Sequence, residues 1–325
     1  MDITRRTMLE LAAVMATGAT VGTAHGGWPI KGTTSDQRAL VDGNNQACFD
    51  LYAKLRARDG NAFFSPFSVS SALAMAYAGA RGETARQMAS TLRFPASGEP
   101  LHQAFAVILR TLSRPGSTPR NELRIANALW PQSGLPLAKD FERIARDLHG
   151  AGLTAVDFKR PEQARATINA WVEQQTQDRI KDLMPEGVLT PETRLVLTNA
   201  IYFKGKWRRA FLEAATRPDK FMASRGRVIP GVPFMSQHGT FRYLEGEGFQ
   251  GLALPYEGDE LSMIVLLPRQ VDGLPELERT LTAPRITRWL ATMAERGTRF
   301  TAPVQGNRRV QAQAGPERTG HAAGL

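Results

Sequence analysis

Five histidines, His25, His102, His149, His238 and His321, are spread along the 325 residues. They stand far apart and show no metal-ligand spacing, so no metal site is expected. One cysteine, Cys48, excludes an internal disulfide. It lies in an apolar helical stretch with Phe49, Tyr52 and Leu55, where a thiol is packed rather than poised to react. No Gly-x-Ser-x-Gly elbow and no His-Glu-x-x-His helix occurs. Residues 246–251, GEGFQG, fit the dinucleotide pattern letter for letter. The chain then runs into a strand holding Pro255 rather than a helix, so no helix N-terminus faces a phosphate. The residue types therefore point to no catalytic side chain, no metal and no cofactor.

Charge comes next. Forty-one Lys and Arg against 31 Asp and Glu give a net charge of +10. That balance favours acidic surfaces. The cations are scattered, with no run of five or more, and aromatics do not interleave with them as a nucleic-acid platform requires. A basic solvated surface is the reading, and no nucleic-acid partner is expected.

The elements follow from periodicity. Residues 1–25 read as an export signal: Thr4-Arg5-Arg6-Thr7-Met8-Leu9 precedes the mostly apolar run from Leu11 to Val21, with small residues at Ala24 and Gly26. This resembles a twin-arginine signal, although Glu10 sits where a basic residue is usual. The run is too short to span a membrane. Export to the periplasm or outside the cell is the expectation. Residues 26–39 read as a linker. A helix is expected over 40–58 and a short buried strand over 61–64. Ser65 then caps a helix that Pro66 opens. Further helices are expected over 84–92, 98–112, 138–148, 161–184 and 274–293, the last broken at Pro284. Strands are expected over 123–130, 152–158 and 194–203, and in several pieces from Val232 to Leu267. The segment RLVLTNAIYF is almost uncharged, as a strand buried on both faces should be. Helices precede strands without regular alternation, which argues an α+β domain with large antiparallel sheets.

Four long motifs carry a resemblance. They are NAFFSPFSVSSALAMAYAGARGETARQM (61–88), INAWVEQQTQDRIKDLM (168–184), LVLTNAIYFKGKW (195–207) and GLALPYEGDELSMIVLLP (251–268). In this order and spacing they resemble the serpin family of serine-protease inhibitors, over roughly residues 40–297. The resemblance implies a serpin-like fold with about nine helices. It further implies a monomer that meets a serine or cysteine protease, and no enzyme activity. It places Ser65 and Ser68 at the shutter, where the main sheet parts, with Asn199 as their polar partner. It places Trp207 at the breach, the top of that sheet. The implied mechanism is mechanical: a protease cleaves an exposed loop, and the loop inserts as a strand beside Leu195–Phe203. Serpin loop insertion is a standard example of strand addition and stored-strain release. A relative that only carries or chaperones is the alternative. Arg110, Arg114 and Arg120 lie where some relatives bind polysaccharide, and are too sparse to assign.

The last 29 residues are composed differently. From Gly297 the chain is rich in Gly, Arg, Gln, Ala and Pro, the composition of a disordered tail. The resemblance implies a hinge and a reactive loop in this direction, and no such hinge and no reactive bond can be named. Back-translating from the second base of the Pro303 codon permits the string PFKATAEFKLRPVLSALGMP, which resembles the family's continuation. A frameshift near Pro303 is therefore expected, leaving a serpin domain that is incomplete at its C-terminus, poorly folded and unable to inhibit.

Overall fold

The computed structural model describes residues 9–13, 34–58, 60–113, 121–223 and 225–304. Most of the expected signal, residues 26–33 of the linker, Arg114, Arg120 and residues 305–325 lie outside them.

Four helices form the first layer: α1 (Ser35–Leu55), α2 (Pro66–Gly79), α3 (Gly82–Thr91) and α4 (Glu99–Leu112). Helix α1 starts within the expected linker because Thr34 and Gln37 form a capping box. The Thr34 hydroxyl accepts from the Gln37 amide at 3.4 Å, and the Gln37 side chain accepts from the Thr34 amide at 3.1 Å. Two orphan donors are thereby satisfied reciprocally. Leu40, Ala74, Tyr77, Leu101, Ala104 and Phe105 join these helices in one apolar cluster. Residues 61–64 correct the expectation of a buried strand. They form no ladder, and Phe63 is 85% exposed. No described strand lies alongside to take their backbone groups, so the apolar run alone does not make a strand.

The smaller sheet has three strands, ordered β3 (Gly152–Leu153), β2 (Asn121–Pro131), β4 (Leu195–Gly205). Strand β3 is shorter than expected, with one further bridge from Val156 to Gln132. Strands β2 and β4 run antiparallel in unbroken register, Asn121 opposite Gly205 through to Pro131 opposite Leu195. One face packs Ala128, Trp130 and Val196 against Ile168 and Ala164 of α6 (Pro161–Gln175). The other packs Leu129, Leu195 and Leu197 against Met75 of α2 and Ala145. Ala145 belongs to a π turn (Ile144–Leu148) that follows α5 (Lys139–Arg143).

Two expectations fail here. Helix α6 ends at Gln175 and not at Met184, because Gln177, Asp178 and Asp182 all adopt positive φ. The Asn169 side chain then clamps the returning chain, donating to the Met184 carbonyl at 3.1 Å and accepting from its amide at 2.8 Å. Strand β4 is not buried throughout. Thr198, Ala200 and Tyr202 are buried, their neighbours are half-buried, and Phe203 is 39% exposed.

The larger sheet runs β1 (Leu9–Ala13), β8 (Ser262–Pro268), β7 (Phe249–Pro255), β6 (Val228–Gly246), β5 (Arg217–Met222), with β9 (Ala294–Pro303) also on β6. Leu9–Ala13, within the expected export signal, lines the outer edge of β8 antiparallel. Helices α7 (Leu274–Thr280) and α8 (Ala283–Thr292), with Leu281 between them, cover one face through Leu277, Leu281, Ile286 and Leu290 against Phe249, Ala253, Ile264 and Leu266. The other face buries Leu252, Leu254 and Val265 with Phe241, Tyr243 and Phe300.

The expected boundary at residue 297 is corrected by β9. It pairs with β6 over ten positions, from Ala294 opposite Tyr243 to Pro303 opposite Phe234. Phe300 is fully buried and Ala302 nearly so. A Gly/Arg-rich composition hid two inward-facing apolar residues placed at the period of a strand. Eight α-helices stand among the described residues, with antiparallel pairing almost throughout. Residues 246–251 form the tight turn from β6 into β7, with Gly248 at φ +74°, and no helix follows.

Candidate functional site

Helix α2 crosses β4 at its middle. Ser65 is the N-cap, and its hydroxyl accepts from the Ser68 amide at 3.2 Å. Ser68, one turn on and buried, turns its own hydroxyl into the sheet and donates to Asn199 Oδ1. The two serines thus separate in role: Ser65 ends a helix, and Ser68 ties that helix to β4. Asn199 Nδ2 donates to Asn127 Oδ1 at 2.7 Å, and Asn127 Nδ2 donates to the His149 carbonyl at 2.9 Å. Asn127 and Asn199 stand directly opposite in the ladder. A continuous polar chain therefore runs from α2 across both strands to the end of the π turn. Buried amides without partners would each cost about 1–3 kcal/mol. These are satisfied only while α2, β4 and β2 keep their places.

On the other face Trp130 Nε1 donates to Thr198 Oγ1 at 2.9 Å, and the indole meets Trp171 of α6 edge-on at 5.7 Å. Sequence reasoning missed Asn127, Thr198 and His149. A signal existed for the first: asparagine disfavours strands, yet one stands mid-strand in each of two apolar runs.

Trp207 follows β4 and stacks on Tyr256 at 4.5 Å with planes 12° apart. The two form a bridge between the β4 end and the β7–β8 hairpin. The Arg208 amide donates to the Pro255 carbonyl at 3.0 Å, and the Glu257 amide to the Lys206 carbonyl at 2.7 Å. Asn121 Nδ2 adds a bond to the Glu257 carbonyl at 2.6 Å. Gly205 is required here, since a Cβ would lie 2.6 Å from the Tyr256 ring. Trp207 thus fastens the top of the small sheet to the large one, well along the chain from the Ser68–Asn199 contact.

Chemically this arrangement holds rather than reacts. Among the described residues neither Ser65 nor Ser68 has a histidine ring as a hydrogen-bond partner. No group of three or more His, Cys, Asp or Glu is placed to hold a metal ion among them. Cys48 is half-buried, and burial pushes its thiol up to about 11, so it is protonated at neutral pH. No described helix is long and apolar enough to cross a membrane.

A family model described as serpin (serine protease inhibitor) matches residues 42–303. The chain belongs to the serpin family. An uncharacterised serpin-like protein of Thermococcus kodakarensis is 40% identical over 268 residues, 82% of this chain and 62% of that relative. Human Serpin B3 is 35% identical over 280 residues, 80% of this chain and 71% of its own length. The chain thus spans about two thirds of the length of the relatives it matches. Emu ovalbumin superposes with a TM-score of 0.77 at 31% identity, covering 82% of this serpin and 73% of the ovalbumin chain. Cleaved Serpin 42Da gives 0.75 at 36% identity, covering 82% and 72%. The α+β serpin fold is that of these structures.

Proposed function

We propose that this chain is the scaffold of a protease inhibitor that works by strand insertion beside β4, with serine or cysteine proteases as targets. The observation that carries the reading is the sheet order. Strand β4 is an edge among the described strands, paired with β2 on one side only, and its middle is held by a helix through a polar chain. An unpaired row of backbone donors and acceptors is a template for another strand. A hydrogen-bonded polar seam, unlike an apolar one, can be parted without exposing much hydrocarbon to water. Matching proteins named leukocyte elastase inhibitor, from Bos taurus at 37% identity, and antithrombin-III, from Mus musculus at 37%, support the target class. A solved ovalbumin mutant described as cleaved and loop-inserted, at TM-score 0.76, supports the mode.

On this reading the 325 residues by themselves do not inhibit, because residues 304–325 hold no Ala/Thr-rich hinge and no bait segment. A frameshift near Pro303 accounts for their composition, and the N-terminal twin-arginine pattern directs the protein out of the cytoplasm as a monomer. Resequencing across the codons for Arg296–Arg309 and past Leu325 tests the frameshift; DNA with no serpin-like frame downstream sinks it. Incubation with a panel of serine proteases then tests the activity. The 325-residue chain is expected to give no SDS-stable 1:1 complex, and one with a frame-corrected C-terminus to give one. A stable complex with the 325-residue chain overturns the proposed inactivity. If the corrected chain only binds or is cut, the carrier or chaperone reading takes over.

A further inference from the structure

The polar chain behind the small sheet does not end at the His149 carbonyl. The His149 ring turns away from the sheet toward α4, where its Nε2 lies 3.0 Å from Nδ1 of His102. The two rings are 2% and 1% exposed and meet edge to face at 5.2 Å. Phe105 lies 5.5 Å from the His149 ring, and Tyr77 of α2 lies 6.3 Å from that of His102. His149 Nδ1 is buried and has no hydrogen-bond partner among the described residues. We infer that the His102–His149 pair is a proton-sensitive latch that locks α4 and the π turn behind β2 and β4.

A nitrogen-to-nitrogen bond needs one ring to donate and the other to accept, and the neutral pair meets that need. A first added proton leaves the bond in place but creates an imidazolium among aromatic rings. A second proton puts N–H against N–H and breaks the bond. Neither charge has a carboxylate in contact. On α4 the acid that acts on His102 is Glu99, and its carboxylate is engaged by Arg143 of α5 at 3.1 Å. Asp140 on α5, Arg146 and Asp147 on the π turn, Arg124 on β2 and Asp36, Asp42 and Asp50 on α1 are exposed. From α2 the titratable group that faces the pair is the Tyr77 phenol.

Burial accordingly pushes His102 down to about 4, and burial followed by the neighbouring His102 pushes His149 down to about 3. In an opened segment both return to the usual value near 6.5. The open form then binds more protons than the closed one at any pH below about 6.5. The latch is therefore fully set above that pH and weakens as pH falls through 6 and 5 toward 4. His149 couples the two, because its carbonyl holds Asn127 while its ring holds α4. Loss of the ring contact frees the end of the chain that reaches Asn199.

Hydrogen exchange on the whole chain at pH 7.5, 6.0 and 4.5, corrected for intrinsic exchange rates, tests this. Protection of the β2 and β4 amides should fall at least tenfold from pH 7.5 to 4.5, while β7 and β8 hold theirs. In the double variant His102→Gln/His149→Gln the β2 and β4 protection should be independent of pH. A merely structural role for the pair would lower protection at every pH without flattening the profile. Should the double variant not fold, imidazole NMR of the unaltered protein replaces it, with two rings expected not to titrate above pH 5. Unchanged β2 and β4 protection on acidification, an equal fall in β7 and β8, an equal fall in the double variant, or no ring resisting titration would each overturn the latch.

Discussion

Strands β4 and β8 are spelled alike and buried differently. LVLTNAIYF and SMIVLLP are both uncharged apolar runs. Ile264 through Pro268 of β8 are buried on both faces, between α7 and α8 on one side and Phe241, Tyr243 and Phe300 on the other. In β4 burial alternates with half-exposure, and its central contact to α2 is a hydrogen bond. The difference lies in what covers each strand. Strand β8 has a neighbour on both edges, β7 and β1, whereas among the described strands β4 has β2 alone. Hydrocarbon seams gain about 25 cal/mol per Å² buried and resist parting. Polar seams contribute a modest net energy but demand strict geometry, because orphaned partners are costly. One sheet is built to stay shut, and the other is held by groups that specify a position.

The largest expected effect breaks the apolar side of that contrast. Leu266→Ala removes a side chain that is 1% exposed and central to the β7–β8 cluster. It should cost about 2–5 kcal/mol, read as a lower urea midpoint with unchanged slope. Leu197→Ala in β4 cuts an equal side chain from a half-buried position and should cost roughly half as much. Equal losses would mean that the two strands are covered alike in solution.

The polar side breaks next. Asn199→Ala leaves the Ser68 hydroxyl without its acceptor and Asn127 Oδ1 without its donor. A cost of roughly 1–3 kcal/mol is expected. Adding Ser68→Ala should cost less than it does alone, because the groups share one chain. Strict additivity in that double-mutant cycle would show that the hydrogen bond does not form.

Much of this was legible in the sequence, for stated reasons. Long elements with strong period were placed well, such as α4, and strands were expected in the region that holds β7 and β8. Ser65 before Pro66 was readable as a cap, and the pairing of Ser68 with Asn199 came from family resemblance. What escaped reading depends on partners far along the chain. The apolar letters of Asn61–Phe64 suggest a strand, but a strand needs a neighbour to take its backbone. Arg296 and Arg299 mask Phe300 and Ala302, whose burial is decided by β6. His102 and His149 are 47 positions apart, and spacing cannot show that a helix and a turn bring them to 3.0 Å. The early start of α1 was readable, since Thr34 and Gln37 spell a capping box.

A smaller effect sharpens the contrast at the junction of the sheets. Trp207→Leu keeps apolar area against Phe211 but removes the stack on Tyr256. A loss of about 1 kcal/mol is expected, measured by thermal unfolding. Hydrogen exchange should rise at the Gly205 end of β4 more than at its Leu195 end. A uniform rise along β4 would deny Trp207 its role as a local fastening.

The smallest effect separates the two serines. Ser65→Gly keeps an acceptable cap residue and should cost only a few tenths of a kcal/mol, whereas Ser65→Ala should cost about 1 kcal/mol. Neither change touches the chain from Ser68 to His149, because Ser65 meets it only through the Ser68 amide. The hydrogen-exchange protection of Asn127 and Asn199 should therefore stay as it is in both variants. If Ser65→Gly loosens those amides as much as Ser68→Ala does, the cap is part of the seam. The polar contact between helix and sheet would then begin one turn earlier than the geometry places it.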